Sequence, residues 1–380
     1  MLRNHCAHAR FAWNLAVEQH SHWHPGRARA PGYLEQCRQL TTARAEHSWL
    51  REGSQMVQQQ ALRDFTQAMA AFFDLENPAR RPSWRKADRD EGFRIVAVKP
   101  RHMLRLSRRT GEVWVPKAGW VRFRWSRAVP AGVKSFRVTM DRAGRWHIAF
   151  AVIPEPIPAP DNGQVVGIDR GVAVSAALST GELLHTPGLT ARERKRLLRL
   201  ERKLARAQRN SSRRKQVRLA IARLKARETD RRRDWAEKAS TDIARRFDLI
   251  RVEDLRIGNM TRSAKGCAGN PGRNVRAKAG LNREILLSGW GLLVRRLEGK
   301  APGRVERISP AFTSQRCSAC GHVDSKSRES QARFVCAACG FACNADTNAA
   351  RNIAAGHAVT ARGGDGIAQP VNREPQLLAS

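Results

Sequence analysis

The spacing of apolar residues in the first part of the chain follows the period of an α-helix. In residues 1–92 apolar side chains recur at steps of three to five, with polar and charged positions between them. This spacing places the apolar side chains on one face of each helix, where they can pack together. The pattern predicts a small helical unit in residues 1–92. Its predicted core residues are Phe11, Leu15, Val17, Val57, Leu62, Phe65, Met69 and Phe72.

The apolar period falls to two in residues 93–153. Apolar and polar side chains alternate there in short runs such as W-V-R-F-R-W, with glycines between the runs. Alternation is typical of strands with one buried face, so the segment predicts a β-sheet or a small β-barrel. Arg122, Arg124 and Arg127 lie on or beside the alternating positions. They line a phosphate-facing surface or belong to an ordinary exposed sheet face.

Residues 154–163, P-E-P-I-P-A-P-D-N-G, predict a stiff, extended linker because they are rich in proline. The following residues 164–311 predict an α/β domain. Short apolar strands joined by glycine turns come first, and helices then alternate with strands. The predicted strands are residues 164–168, 173–178, 182–185, 249–252 and 305–308, and the predicted helices include residues 235–247 and 285–297.

A basic segment interrupts this domain in residues 190–233. It contains nineteen Lys or Arg and four acids, with a narrow apolar seam on either side of a short polar break. The seam predicts a helical hairpin whose other faces are basic. Charge runs are commonly solvated faces, but the nearly uniform sign of this one favours phosphate contact. The predicted nucleic-acid contacts are Arg194, Lys195, Arg202, Arg206, Arg213, Arg214, Lys215, Arg122 and Arg124.

The whole chain is strongly basic. Its 380 residues include 70 Lys and Arg against 34 Asp and Glu, a formal charge of +36, and 41% are hydrophobic. The apolar content suffices for folded domains, and the self-repulsion favours a polyanionic partner such as nucleic acid. A ribosome-like RNA binder and a membrane-surface protein share this composition. No apolar run reaches the roughly 20 residues of a membrane span and no secretory signal is present, which predicts a cytoplasmic, nucleoid-associated protein.

Residues 312–343 contain two Cys-x-x-Cys pairs separated by fifteen residues. This spacing is typical of four thiolates around a structural Zn²⁺. Cys343 lies shortly after the second pair and is an alternative to Cys339, but the Cys-x-x-Cys pair with its following glycine makes the better metal knuckle. The segment predicts a zinc ribbon whose ligands are Cys317, Cys320, Cys336 and Cys339.

Three acids stand at the ends of predicted core elements. Asp169 ends the first strand after the linker, Glu253 ends a later strand, and Asp346 opens a short helix in residues 344–355. Taken alone, Asp169 is interpreted equally well as a structural turn residue. Together the carboxylates offer the oxygen ligands that Mg²⁺ prefers, and two such ions about 3.5–4 Å apart can activate water and stabilise a leaving 3′-oxygen. The sequence predicts a two-magnesium site in which Asp169 bridges the ions, because a strand is the most rigid platform.

Four stretches contain these acids and cysteines: G-I-D-R-G, V-E-D-L-R-I-G-N-M, T-S-Q-R-C-S-A-C-G-H and C-N-A-D-T-N-A-A-R-N-I. They resemble the three RuvC motifs and the zinc ribbon of the TnpB family, RNA-guided nucleases that insertion sequences encode. The resemblance is specific over residues 165–355 and weaker before them. It implies an RNase H-like (RuvC) nuclease domain with an inserted zinc ribbon. A β-barrel (wedge-like) domain with an inserted helical recognition unit would precede it, with the recognition unit and part of the barrel in residues 1–92.

The resemblance also implies the roles of the site residues and the partners. Asp169, Glu253 and Asp346 would be catalytic, with two Mg²⁺ ions as cofactors and Zn²⁺ held by the four cysteines. The guide would be a noncoding RNA from the element's end, and the target would be DNA, first double-stranded and then opened, beside a short adjacent motif. Family members usually begin with a strand of the barrel. Because Met1 lies in the first helical stretch, we expect that strand to be missing here.

Three other functions fit parts of the sequence. One is a CRISPR-associated effector of the same fold, and a second is a nuclease-inactive, guide-dependent repressor. The third is a zinc-ribbon nucleic-acid-binding protein without catalysis, for which the acids would be coincidental. The presence of all three acids speaks against the last two. The tail, residues 356–380, has the composition of disorder.

Overall fold

A computed structural model describes residues 1–22, 26, 30–77, 79–89 and 91–356. The predicted disordered tail therefore lies outside the described residues, apart from Gly356. The chain divides into two compact units. Unit 1 comprises Met1–Pro154 and Leu189–Asp230, and unit 2 comprises Glu155–Gly188 and Arg231–Ser380.

The described residues in the helical part of unit 1 form four helices. Val57, Leu62 and Phe65 are buried as the apolar period predicts. Phe11 was predicted in this core and is instead exposed, in an edge-to-face contact with Trp49. Alanines and a tryptophan occupy the buried face of the first helix and leave its other face for Phe11. The helices are α1 (Leu2–Ser21), α2 (Tyr33–Glu46), α3 (Ser48–Glu52) and α4 (Gln55–Phe73).

Six strands in the described part of unit 1 complete its core. Phe93, Val113, Val115 and Phe136 are buried and join the helical core. Among the described residues the strands form two separate three-stranded antiparallel sheets, ordered β1-β5-β6 and β2-β3-β4, so closure into a barrel stays a prediction. The strands are β1 (Glu91–Val96), β2 (Met103–Arg105), β3 (Thr110–Val115), β4 (Gly119–Arg124), β5 (Ser135–Met140) and β6 (Trp146–Ala151).

In the part of the chain that the structure describes, the central sheet of unit 2 has five strands in the order β13-β10-β7-β8-β9. Its first three strands in sequence form an antiparallel meander, whereas β10 runs parallel to β7 and β13 runs parallel to β10. The buried strands β7 and β10 lie at its centre, as their apolar runs predict. The strands are β7 (Val165–Asp169), β8 (Ala176–Leu178), β9 (Leu183–Leu184), β10 (Leu249–Glu253) and β13 (Val305–Ile308), and a separate two-residue ladder joins β11 (Gly266–Cys267) to β12 (Asn270–Pro271).

Two long helices form the predicted basic hairpin. Thr190 caps the first, because its hydroxyl accepts a hydrogen bond from the amide of Glu193 at 3.2 Å and the Glu193 carboxylate accepts one from the amide of Thr190 at 3.0 Å. The second helix continues beyond residue 233 and includes the separately predicted helix 235–247, since no glycine or proline interrupts it. The helices are α5 (Ala191–Arg206) and α6 (Ser212–Arg246).

One helix prediction is wrong. The apolar period from Ile285 to Leu297 predicts a single helix, but Gly289 adopts a left-handed conformation with φ of +76° and ends one helix before the next begins. The second of these helices buries Leu293 and Leu297 against the sheet. This part of unit 2 contains α7 (Ile257–Met260), α8 (Val275–Ser288) and α9 (Trp290–Lys300).

The last elements of unit 2 are a small hairpin and a helix, β14 (Arg333–Val335), β15 (Ala342–Asn344) and α10 (Ala345–Ala355). Helix α10 lies against β7 at Gly167, where a Cβ would collide with the carbonyl oxygen of Ala350 and the amide nitrogen of Ala354. The missing side chain therefore allows the helix to approach the strand. Among the described residues, no helix is long and apolar enough to cross a membrane.

Candidate active site and metal centre

Two of the three candidate acids end neighbouring strands. Asp169 is the last residue of β7 and Glu253 is the last residue of β10. The two strands are parallel, and their register places Ile168 opposite Val252, immediately before the acids. Because parallel strands present their carboxyl ends at one edge of the sheet, both carboxylates lie at the same edge.

Asp346 reaches this edge from α10. The helix meets β7 at Gly167, two residues before Asp169, through Ala350, four residues after Asp346. Two residues of strand and one turn of helix have nearly the same length, roughly 6–7 Å, so both acids lie toward the same edge. Asn344 caps the helix and holds its first turn, because its side-chain oxygen accepts from the amides of Asp346 and Thr347 at 3.0 and 3.1 Å.

The electrostatics also indicate that the acids are close. Burial, and then the negative charges of Glu253 and Asp346, raises the pKa of Asp169 to about 8. Burial raises the pKa of Glu253 and of Asp346 as well. A carboxylate in such surroundings is costly unless a cation neutralises it. Asp169, Glu253 and Asp346 thus form a partly desolvated group of acids at the edge of the sheet, the acid cleft.

Two arginines that the sequence analysis missed border this cleft. Arg328 forms an ion pair with Asp346 at 3.2 Å, and its charge opposes the rise in the pKa of all three acids. Arg170 is buried and donates to the backbone carbonyl of Glu253, while its Nε has no hydrogen-bond partner among the described residues. Arg170 follows Asp169 in G-I-D-R-G, a signal that was available. Arg328 lies between the cysteine pairs in no recognisable pattern.

Thr313 is a third residue that the sequence analysis missed. Its hydroxyl donates to Oε1 of Glu253 at 2.5 Å, and both side chains are buried. This hydrogen bond favours the charged form of Glu253 and opposes the rise in its pKa. The backbone carbonyl of Thr313 accepts from Nδ2 of Asn352 at 2.9 Å. Thr313 therefore joins β10 to α10.

Side chains of α10 also form hydrogen bonds with the backbone on either side of Cys317, the first cysteine of the cluster. Asn348 and Asn352 each donate through Nδ2 to the carbonyl of Arg316 at 2.7 Å. The side-chain oxygen of Asn348 accepts from the amide of Ser318 at 2.9 Å. Both asparagines are almost fully buried. A continuous set of hydrogen bonds therefore runs from Glu253 to the residues on either side of Cys317.

The four predicted zinc ligands come together in unit 2. All four Sγ atoms lie within 4.8 Å of one another. The Sγ–Sγ distances are 3.8 Å for Cys317 and Cys339 and 3.6 Å for Cys320 and Cys336. A tetrahedron with Zn–S bonds of about 2.3 Å has edges of nearly 3.8 Å, so the donor set fits Zn²⁺. Cys343 is outside this group and packs against the small core of the ribbon.

The predicted nucleic-acid contacts fall into two groups. Arg194 donates to the carbonyl of Leu189, Arg214 donates to carbonyls at the end of α5, and Arg122 pairs with Glu112 at 3.2 Å. These arginines have structural partners. The others are exposed and form no ion pair within the part of the chain that the structure describes: Lys195, Arg202, Arg206, Arg213, Lys215 and Arg124.

Two family models match the chain. The first, described as "Probable transposase", covers residues 136–264, and the second, "Cas12f1-like, TNB domain", covers residues 290–353. An Escherichia coli K12 protein named "Putative RNA-guided DNA endonuclease InsQ" is 35% identical over 95% of this chain and 90% of its own length. The chain belongs to the TnpB family. A second relative, "Putative RNA-guided DNA endonuclease" of Streptomyces pristinaespiralis, is 32% identical over 94% of this chain and 86% of its own.

The fold of this chain also matches a solved structure. The chain matches "Cryo-EM structure of the Cas12f1-sgRNA-target DNA complex" with a TM-score of 0.56 at 15% identity, over 93% of this chain and 81% of that one. At this identity the likeness concerns the fold alone. The predicted mixed α/β fold is confirmed, and the family that the motifs predicted is correct.

Proposed function

We propose that this chain is the RNA-guided DNA endonuclease of a transposable element. Two relatives that match this chain over most of their own length are named putative RNA-guided DNA endonucleases. The observation that carries the proposal is the convergence of Asp169, Glu253 and Asp346 at one edge of the unit 2 sheet. Carboxylates gathered at such an edge can bind divalent cations and position water for attack on a phosphodiester.

The topology of unit 2 supports an RNase H-like (RuvC) nuclease domain. An antiparallel three-stranded meander is followed by two parallel strands on the other side of β7, and α10 covers the sheet. This arrangement agrees with the domain that the motifs predicted. The finer division of residues 1–163 into a helical recognition unit, a wedge-like barrel and a linker is part of the same proposal.

Mg²⁺ fits the acid cleft. The three carboxylates are hard oxygen donors, and burial raises the pKa of each, so a bound cation would stabilise their charged forms. When bound there, Mg²⁺ would activate water and stabilise the leaving oxygen. Thr313 would fix the orientation of Glu253. Arg328 would neutralise part of the negative charge of the acids in the metal-free protein. Cys317, Cys320, Cys336 and Cys339 would hold a structural Zn²⁺.

The proposed partners are a guide RNA and a DNA target beside a short adjacent motif. The charge of +36 and the exposed basic side chains of the hairpin suit phosphate backbones of both. Base pairing with the guide would select the target, and the protein would contribute backbone contacts and the cut. A nucleoid-associated location follows from such partners.

The experiment is to purify the chain with its bound RNA and to incubate it with DNA that matches or mismatches that RNA. We expect Mg²⁺-dependent cleavage of matched DNA only, and no cleavage by Asp169→Ala, which should still bind RNA and DNA. Binding without cleavage by either protein would overturn the nuclease proposal and favour the repressor. A genomic repeat array beside the gene, in place of an insertion-sequence end, would favour the CRISPR-associated effector.

A further inference from the structure

A basic cavity lies in unit 1, and none of its lining residues belongs to the acid cleft. It has a volume of about 390 Å³ and is lined by Arg108, Arg109, Arg124, Trp125 and Ser126. It opens where the turn between β2 and β3 meets the end of β4. Its volume is within the range of roughly 300–1,000 Å³ of pockets that bind small ligands.

The backbone around the cavity is well fixed. Strands β3 and β4 pair up to Thr110 opposite Arg124, and the amide of Trp125 extends the ladder by donating to the carbonyl of Arg109 at 2.8 Å. The Ser107 hydroxyl accepts from the amide of Arg109 at 3.2 Å and shapes the turn. The fold therefore holds Arg109 and Trp125 side by side.

The tryptophan is seated on a glycine. A Cβ at Gly111 would collide with Cε3 and Cζ3 of the Trp125 indole, so the ring occupies the place of a side chain. Phe123 stacks on the same indole with ring centroids 5.3 Å apart, and the Arg105 guanidinium lies 5.6 Å from its centroid. Trp125 is thus a rigid, half-buried apolar wall in a basic surface.

The arginines of the cavity have no partner. In the described residues, no hydrogen bond or ion pair engages the guanidinium groups of Arg108, Arg109 and Arg124. Arg122, two residues before Arg124 on the same strand, shows the contrast, because Glu112 neutralises it at 3.2 Å. Three unpaired cations around one cavity repel one another, and an anionic ligand would relieve that repulsion.

We propose that this cavity binds one unpaired nucleotide of the guide RNA, with phosphates on Arg109 and Arg124 and the base against Trp125. Guanidinium groups bind phosphate through paired hydrogen bonds, and aromatic side chains receive bases that are free of pairing. A folded RNA keeps loop and bulge bases unpaired at all times. Duplex DNA exposes such a base only after strand opening, so RNA is the better occupant. The inference depends on the proposed function, since it needs a guide RNA.

The test measures the affinity of the full chain for the RNA that copurifies with it, without divalent cations, so that cleavage plays no part. We expect Arg109→Ala and Arg124→Ala each to weaken RNA binding about tenfold and to lower the salt slope by about one. Arg122→Ala removes the same charge from an ion-paired arginine beside the cavity and should weaken binding less than about threefold. Trp125→Leu should weaken binding with the salt slope unchanged, because it removes a contact and no charge.

Several outcomes would overturn the inference. One is that Arg109→Ala and Arg124→Ala behave like Arg122→Ala while thermal unfolding shows all three folded. Another is that Arg109→Ala and Arg124→Ala retain RNA affinity but, once loaded with RNA, lose affinity for matched DNA. That result would assign the cavity to a DNA strand. If no RNA copurifies at all, both the cavity assignment and the proposed function fail. If RNA binds and matched DNA is cut but the cavity variants match wild type, only the cavity assignment fails.

Discussion

The two proposed metal centres of unit 2 are built in opposite ways. The four cysteines come from one short segment. Local hydrogen bonds shape the turn at each Cys-x-x-Cys pair: the amide of Gly321 donates to the backbone carbonyl of Cys317, and the amide of Gly340 donates to that of Cys336. The three acids come from two strands and a helix that are distant in sequence. A ribbon of this kind organises itself around its metal, whereas the acid cleft exists only when the sheet and α10 are assembled.

The two centres also differ in what they contribute to stability. A segment that holds four thiolates at tetrahedral spacing is stabilised in its folded state by the metal that it binds. The acids lie in a cleft that raises the pKa of all three, so in the absence of metal they oppose folding. The first centre would be a structural element and the second a strained functional one.

The largest expected effect is at the cysteines. Cys336→Ser should abolish stoichiometric zinc binding and destabilise the ribbon by more than about 5 kcal/mol, because folding of such a segment depends on its metal. Zinc content by elemental analysis and limited proteolysis of residues 312–343 would measure this. Cys343→Ser is the control and should retain zinc, since this thiol is outside the cluster. Equal zinc loss in both variants would contradict the ligand assignment.

The next effect tests the dependence of the acid cleft on assembly. Gly167→Ala should lower the free energy of unfolding by about 3 kcal/mol or more, because the new Cβ collides with the backbone of α10, which cannot yield as a side chain can. Chemical denaturation would show it. Gly280→Ala is the matched control: it lies within α8 with open space around it, and should stabilise by up to about 1 kcal/mol. Two equal effects would refute the close approach of α10.

The sequence was informative where chemistry is local. The spacing of the cysteines predicted their cluster, and the positions of Asp169 and Glu253 at the ends of predicted strands indicated them as candidate metal ligands. Arg328 and Thr313 were missed because each has a purpose only through a partner that is remote in sequence. The break at Gly289 was missed because the apolar period continues through it, while the backbone at that residue is left-handed.

A smaller effect concerns the pH dependence of stability without metal. The pKa of Asp169 is raised from 3.8 to about 8, so the folded state binds this proton more tightly than the unfolded state. Its unfavourable contribution is absent below about pH 4 and grows until about pH 8. The free energy of unfolding of Asp169→Asn at pH 8 in EDTA should therefore exceed that of wild type by on the order of a few kcal/mol, with the difference shrinking toward pH 5. Chemical denaturation at the two pH values would measure it.

The control for this comparison is Asp254→Asn. Asp254 is exposed and paired with Arg307 at 3.2 Å, so its substitution should give no such gain at pH 8. Adding Mg²⁺ should stabilise wild type more than Asp169→Asn, because ligand binding to the folded state raises its stability. A wild-type protein that is more stable than Asp169→Asn at pH 8 in EDTA would show that the acids are not a strained cluster.

The smallest effect tests the hydrogen bond between Thr313 and Glu253. Thr313→Val keeps the shape of the side chain but leaves the buried Glu253 carboxylate without this donor, which should lower cleavage by roughly tenfold. It should also shift the rise of activity with pH upward, since the hydrogen bond holds down the pKa of Glu253. Thr261→Val removes a hydroxyl that bonds only to a helix carbonyl and should leave that pH profile unchanged. Identical profiles for both variants would exclude a positioning role for Thr313.

The most direct test of the account compares two neighbouring acids, because only one of them lies in the cleft. Glu253 is buried beside Asp169, whereas Asp254 is exposed and paired with Arg307. With bound RNA, matched DNA and Mg²⁺, we expect Glu253→Gln to bind DNA as wild type does and to lose cleavage by about a thousandfold or more. Asp254→Asn should keep cleavage within about threefold of wild type. Comparable activity of the two variants would contradict an acid cleft that cuts DNA.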